Sequence, residues 1–134
     1  VRDWIYVEDH VRGVDLALRE GKVGETYLFG GAGGEISNLE LTKKLIALCG
    51  RDESLARRPG EATLGRSPTG EPAEGAIEYV KDRLGHDRRY AIDYSKAKRE
   101  LGWEPKIGLD EGLKRTVKWF KAHSVWVAHC KQKM

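Results

Sequence analysis

The residues best suited to chemistry lie in one stretch, residues 82–89, where three arginines, a histidine and a glycine fall together. A planar guanidinium matches the oxygens of a pyrophosphate, and Gly85 would let the backbone approach such a ligand closely. The stretch also follows an expected strand, which is where α/β proteins commonly place ligand sites. A solvated basic turn would have the same composition. The residue types therefore leave an anion site and a plain surface turn open.

A glycine cluster between an expected strand and an expected helix is a second candidate for phosphate binding. Its members are Gly30, Gly31, Gly33 and Gly34. Neither G-x-G-x-x-G nor G-x-x-x-x-G-K-[ST] can be laid on their spacing. The spacing therefore indicates a turn that needs permissive backbone angles rather than a dinucleotide site.

Tyr94 and Lys98 fit the pattern Y-x-x-x-K, the tyrosine–lysine pair of short-chain dehydrogenases. In that chemistry the lysine favours the phenolate, which takes a proton beside a bound nicotinamide. Here the pair opens a short expected helix, and nothing upstream could hold a nicotinamide. We therefore expect an exposed, polar helix start and no catalytic pair.

The remaining side chains with chemical potential fit no site pattern. The histidines lack the spacing of metal ligands, and they are His10, His86, His123 and His129. Trp119 and Trp126 lie on an expected helix, where tryptophan packs more often than it stacks on bases. The net charge of +3 is too mild to indicate nucleic acid.

The bulk composition is that of one globular domain, with 134 residues, 40% hydrophobic and 34% charged. No apolar run approaches the ~18 residues of a membrane span, so no membrane partner is expected. Cys49 and Cys130 lie far apart and suit a reducing compartment, which favours a cytoplasmic protein. The chain starts at Val1 with neither a methionine nor a signal-peptide pattern, so we expect it to begin inside a longer protein.

The pattern of apolar residues, caps and breakers predicts an α/β chain. Short strands are expected at residues 4–7, 25–29, 76–80 and 90–92. Helices are expected from Glu8 to Gly21, from Ser37 or Asn38 to Gly50, from Asp93 or Ser95 to Leu101, and from Leu109 onward. Residues 51–75 are rich in proline, glycine and charge, and are expected to be a flexible insertion in a single domain covering residues 1–134.

Several long motifs resemble the dTDP-glucose 4,6-dehydratases, a family of extended short-chain dehydrogenases. Residues 2–10 read R-D-W-I-Y-V-E-D-H, and residues 82–93 are similar to the family pattern D-R-P-G-H-D-R-R-Y-A-I-D. Shorter matches are G-E-T-Y at residues 24–27, E-L-G-W at 100–103 and the T-V-x-W-F helix at 116–120. The resemblance covers nearly everything outside residues 51–75.

This resemblance implies a small mixed C-terminal substrate-binding domain that caps a doubly wound NAD domain. In the family NAD oxidises C4 of a dTDP-hexose, water leaves across C5–C6, and the hydride returns to C6. The C-terminal region holds the nucleotide diphosphate. By motif, the resemblance assigns substrate contacts to Arg2, Asn38, Arg83, Gly85 and His86.

The resemblance also implies what this chain does not carry. The glycine fingerprint, the tyrosine–lysine pair and the acid–base residues belong to the N-terminal half, so NAD is expected in the intact enzyme only. We expect no catalytic residue here, no activity of the chain alone, and a homo-oligomeric parent. Leu84 stands where the family has proline, which frees the turn at its φ angle. Open alternatives are a UDP-sugar dehydratase, epimerase or decarboxylase fragment, and a non-catalytic nucleotide-binding or oligomerisation module.

Overall fold

The structure is a computed structural model that describes residues 1–33, 35–50, 77, 79 and 81–131. The chain divides into two compact units. Unit 1 consists of Val1–Ile36 and Arg89–Met134, and unit 2 consists of Ser37–Arg88. Among the described residues, no helix is both long and apolar enough to cross a bilayer.

In its described residues, unit 1 combines a small antiparallel sheet with four helices. Strand β1 (Arg2–Asp3) pairs with β2 (Glu35–Ile36), with Arg2 opposite Ile36. The helices of this unit are α1 (Val7–Glu20), α3 (Ser95–Leu101), α4 (Leu109–Ala122) and α5 (Ser124–Lys131). The α/β class is thus confirmed, but the strands are shorter and lie elsewhere than the sequence predicts.

Helix α1 begins and ends close to where the sequence places it. Acidic Glu8 and Asp9 lie in its first turn, where they complement the positive end of the helix dipole. Gly21 follows the last turn, and its N–H donates to the carbonyl of Ala17. The apolar residues that recur at helical spacing in this helix lie largely in solvent, at Val7, Val11, Val14 and Leu18. Its core-facing side is a different one, formed by Leu16 and Ala17.

The core of unit 1 is built around Trp103, which is fully buried. Ala97 and Leu101 of α3 are buried with it. The ring of Phe29 meets Trp103 edge-on at 4.8 Å between centroids, and Tyr94 does so at 5.6 Å. Gly102 ends α3 with φ 63°, a left-handed conformation that favours glycine. That glycine turns the chain so that Trp103 enters the core.

Residues 25–29 were predicted to form a strand, and this prediction is wrong. The segment forms no hydrogen-bond ladder of a β-sheet, because no described strand lies beside it to pair with its backbone. Its side chains nevertheless alternate as in a strand. Tyr27 and Phe29 pack against the core while Leu28 is half-exposed. The strands predicted at residues 4–7 and 90–92 are absent too, since residues 4–6 and 90–92 are irregular and Val7 opens α1.

Unit 2 contains helix α2 (Asn38–Gly50), which starts where the sequence predicts. Ser37 caps it: the N–H of Glu40 donates to Ser37 Oγ at 3.1 Å, and the N–H of Ser37 donates to the Glu40 carboxylate at 2.9 Å. This reciprocal pair is a capping box. The predicted insertion at residues 51–75 lies outside the described residues. Of the predicted strand at residues 76–80, only Ile77 and Tyr79 are described, and neither belongs to a strand.

Candidate functional site

Three of the predicted contact residues share one turn in unit 2, residues 82–86. Asp82 Oδ1 accepts the backbone N–H of Arg83 at 2.8 Å and lies 2.8 Å from His86 Nδ1. The N–H of His86 donates to the carbonyl of Arg83 at 3.4 Å. Gly85 has φ 71°, which a residue with a Cβ rarely adopts. The hydrogen bond from His86, followed by the N–H of Arg83, holds the pKa of Asp82 below its usual range.

Arg83 is the cation of this turn that is best placed to receive an anion. Its side chain is exposed, and within the described part of the chain its guanidinium takes no hydrogen bond or ion pair. Asn38 belongs to the same unit, as the first residue of α2, and its carbonyl accepts a hydrogen bond from the Thr42 hydroxyl at 2.8 Å. No hydrogen bond joins Asn38 to the turn among the described residues of this unit.

Arg2, the fifth predicted contact residue, belongs to unit 1. Its guanidinium lies over the ring of Tyr90 at 4.5 Å from the centroid and donates to the carbonyl of Val1 at 2.7 Å. Because Tyr90 also donates its backbone N–H to Val1, the arginine is held at the sheet rather than at a frayed end. The sequence contained no signal for this stacking.

Gly30 and Gly31, two members of the glycine cluster, have a structural explanation inside unit 1. The N–H of Gly31 donates to the Asp3 carboxylate at 3.0 Å, and a Cβ on Gly31 would overlap the carbonyl of Trp4. A Cβ on Gly30 would meet the same carboxylate and Ile92. Gly30 and Gly31 therefore lie close against their own chain, next to a carboxylate that repels phosphate. These two residues do not fit an NAD pyrophosphate.

Replacing Gly31 with alanine should destabilise unit 1 by about 1–3 kcal/mol, because the added methyl group overpacks against backbone that cannot move aside. Urea unfolding followed by circular dichroism measures this change. Gly108→Ala is the control, because its Cβ would meet nothing within 4 Å and its φ of −67° suits alanine. Equal stability of the two variants would show that the close approach at Gly31 is wrong.

Tyr94 and Lys98 each contact a further residue of unit 1. The sequence predicts an exposed Tyr94, but the residue is half-buried against Trp103. Lys98 bonds the Glu104 carboxylate at 2.7 Å, and this bond raises the pKa of the lysine. The charged amine of Lys98 is thus paired with Glu104.

Trp119 and Trp126 contact each other, with ring centroids 5.5 Å apart, and Trp119 stacks on His123 at 4.4 Å. Both indoles remain about half-exposed. They therefore pack as a small surface cluster and not in the core of unit 1. Within the described residues, no three histidine, cysteine or acidic side chains are grouped as metal ligands.

Asp9 is the residue that sequence reasoning missed in the R-D-W-I-Y-V-E-D-H motif. Its side chain is buried, and it accepts hydrogen bonds from Arg12 at 2.7 Å and from the N–H groups of Lys106 and Ile107 at 2.9 and 2.8 Å. Its carbonyl accepts the indole N–H of Trp103 at 3.0 Å. Asp9 thus joins α1 to the segment before α4. A carboxylate in the first turn of a helix is typically exposed and complements the helix dipole, so nothing in the sequence indicated that Asp9 is buried.

Comparison with known proteins gives a consistent family. Residues 1–116 match the family model described as GDP-mannose 4,6 dehydratase. A dTDP-glucose 4,6-dehydratase of Xanthomonas campestris is 44% identical over 127 residues, which is 95% of this chain and 32% of that protein. The enzyme of Salmonella typhimurium is 43% identical over 98% of this chain and 32% of its own length.

Two solved structures share the fold. The dTDP-glucose 4,6-dehydratase of Bacillus anthracis, solved in complex with NAD, superposes with a TM-score of 0.68 at 37% identity. That of Streptomyces venezuelae, solved with NAD bound, superposes with a TM-score of 0.69 at 36% identity. Each comparison covers 92% of this chain and 32% of the solved one.

The present chain therefore spans about a third of the length of the relatives it matches, at 32%. The family model, in contrast, is matched over most of the 134 residues. The chain belongs to the GDP-mannose 4,6-dehydratase family, and within it resembles dTDP-glucose 4,6-dehydratases.

Proposed function

We propose that this chain is the C-terminal, nucleotide-sugar-binding part of a dTDP-glucose 4,6-dehydratase. The observation that carries the proposal is the 44% identity with such an enzyme over 95% of the chain. In the intact enzyme the remaining two thirds would hold NAD, which takes and returns a hydride. This chain would be inactive alone.

The chain's own residues would bind and orient the diphosphate of a dTDP-hexose. The exposed guanidinium of Arg83 supports this role, since it offers paired donors that no described side chain occupies. Gly85 leaves open space at the tip of the turn, where a Cβ would meet nothing within 4 Å. His86, Asn38 and Arg2 are the further proposed donors. Fixing the diphosphate would fix the sugar relative to the cofactor and so reduce the entropy lost at the reacting atoms.

The test is an NMR titration of the 134-residue chain with dTDP. We expect weak binding, in the high-micromolar to millimolar range, because the proposed NAD-binding part of the enzyme, which would form the rest of the ligand site, is not part of this chain. Arg83→Ala should weaken binding about ten- to hundredfold, since one charge-assisted hydrogen bond contributes about 1.5–3 kcal/mol. Arg19→Ala, which removes an exposed arginine bonded to Asp15 in unit 1, should leave the affinity unchanged.

Salt and the nucleoside provide two further controls. Added salt should weaken binding, and thymidine without phosphates should not bind measurably. Chemical-shift changes confined to residues far from Asn38 and Arg83 would contradict the proposed site. Equal affinity of Arg83→Ala and Arg19→Ala would contradict it as well.

The chain alone should bind no NADH and show no dehydratase activity, because Gly30 and Gly31 lie too close to their own chain to admit a pyrophosphate. Fluorescence titration with NADH and an absorbance assay for a 4-keto sugar measure the two quantities. Saturable NADH binding in the micromolar range would refute this expectation.

A second candidate function is that of an oligomerisation module. The observation in its favour is the apolar surface of α1, where exposure ranges from 50% at Val14 to 84% at Leu18. An apolar patch of this kind favours association with another protein surface. The proposed homo-oligomeric state fits either function, and the dTDP titration separates them, because a pure oligomerisation module would not bind the nucleotide.

A further inference from the structure

The turn at residues 82–86 has no apolar anchor among the described residues. Leu84, at its outer corner, is 97% exposed. A Cβ on Gly85 would meet nothing within 4 Å, so the space beside that glycine is open. The family pattern has a proline at the position of Leu84, whose ring would restrict φ, and this chain lacks that restraint. Hydrogen bonds must therefore set the shape of the turn.

Two of those bonds end on a single atom, Oδ1 of Asp82. It accepts the backbone N–H of Arg83 and contacts Nδ1 of His86, four residues further on, each at 2.8 Å. The first bond fixes the backbone from which the guanidinium extends. The second fixes the plane of the imidazole. One carboxylate thus ties together the beginning and the end of the turn.

A carboxylate next to a phosphate site is unfavourable on charge alone, because it repels the ligand. Its presence here calls for a compensating role. The low pKa of Asp82 keeps the carboxylate ionised and so able to accept both bonds. The carboxylate repels a phosphate, but it also orders the turn that would bind one. The larger of these two effects decides whether Asp82 weakens or strengthens anion binding.

We propose that Asp82 is a positioning residue that holds Arg83 and His86 in the arrangement that a nucleoside diphosphate requires, an inference that rests on the function proposed above. The carboxylate itself does not touch the ligand. It acts through the backbone of Arg83 and the ring of His86. The ordering of these two residues favours ligand binding by more than the repulsion between the carboxylate and the phosphates opposes it.

A ligand-free NMR measurement tests the hold on His86. A carboxylate can only accept, so the neutral imidazole must carry its proton on Nδ1 in this contact. Long-range ¹H–¹⁵N spectra of the isotopically labelled chain should show this tautomer in the wild type. Asp82→Asn should retain it, because the amide oxygen can still accept, and Asp82→Ala should lose it. A wild-type His86 with its proton on Nε2 would overturn the proposal.

Titration with dTDP then tests the sign of the effect. Asp82→Ala should weaken binding about three- to tenfold, as expected for a lost ordering hydrogen bond, with Asp82→Asn close to the wild type. The control Asp15→Asn, an exposed aspartate bonded to Arg19, should change nothing. Tighter binding by Asp82→Ala would mean that the carboxylate only repels, which overturns the proposal. Absence of dTDP binding by the wild type would instead refute the proposed function, while the tautomer still decides whether Asp82 holds the ring.

Discussion

Replacing Asp9 with alanine should lower the free energy of unfolding by about 3 kcal/mol or more, measured by urea denaturation. The side chain of Asp9 is buried, and the substitution removes the carboxylate that accepts the N–H groups of Lys106 and Ile107 and pairs with Arg12. Losing several hydrogen bonds to one buried carboxylate costs far more than losing an exposed ion pair. The segment before α4 would then lose two of its hydrogen bonds to α1.

Asp15→Ala is the matched control, because Asp15 lies on the same helix and pairs with Arg19 in the exposed ion pair described above. It should change stability by less than about 0.5 kcal/mol. Equal losses in the two variants would show that the Asp9 network contributes no more than a surface pair.

Asp9 also predicts how stability depends on pH. Burial raises its pKa, but the hydrogen bond from Arg12 and those from Ile107 and Lys106 outweigh burial, so its pKa lies below the ordinary value of 3.8. A carboxyl with a depressed native pKa stabilises the fold above its unfolded pKa, and that stability is lost as pH falls through the native pKa. Acid should therefore destabilise the wild type more steeply below about pH 4 than it destabilises Asp9→Ala. Parallel pH profiles would contradict this.

Trp103→Ala should cost about 3–5 kcal/mol, the range for truncating a buried aromatic side chain. The indole is fully buried, meets Phe29 and Tyr94 edge-on, and donates its N–H to Asp9. A loss of this size is a large part of a typical folding free energy of 5–15 kcal/mol. Partial unfolding near room temperature is the expected result, seen as a lower urea midpoint and loss of near-ultraviolet circular dichroism.

Trp126→Ala provides the comparison of the same residue type at an exposed position, 57% accessible. It should cost less than about 1 kcal/mol. Trp103→Phe should fall between, because phenylalanine keeps the aromatic contacts and loses the hydrogen bond to Asp9. A Trp103→Ala variant as stable as Trp126→Ala would remove the basis for placing the core at Trp103.

The helices could be predicted because their signals are local. Glu8 and Asp9 at the start of α1, the Ser37–Glu40 box at α2 and Gly102 after α3 each act within one or two turns of the chain. The strand predicted at residues 25–29 failed for a non-local reason. An alternating pattern specifies which side chains face a core, but a strand forms only where another strand supplies hydrogen bonds.

The candidate site could be predicted in composition but not in arrangement. The sequence identified Arg83, Gly85 and His86, which the fold places in one turn. It did not identify Asp82 as the common hydrogen-bond partner of Arg83 and His86, because an aspartate before an arginine indicates only an ordinary surface ion pair. For Arg2 it gave no indication of the stack on Tyr90, which depends on chain segments far apart in sequence.

The chain leaves unit 1 after Ile36 and returns to it at Arg89. Arg89 pairs with the carboxylate of Glu35 at 2.5 Å, and Glu35 belongs to β2, which lies against β1. The interval between residues 37 and 88 therefore starts and ends at neighbouring positions of unit 1. Closing such a loop costs only about 0.6 kcal/mol more for each doubling of its length.

This connection has an evolutionary consequence. Insertions and deletions between residues 37 and 88 should cost the folding of unit 1 little, so we expect this interval to vary in length among relatives more than the sequence around Trp103. The same junction is a natural point at which a different segment could be exchanged into the chain.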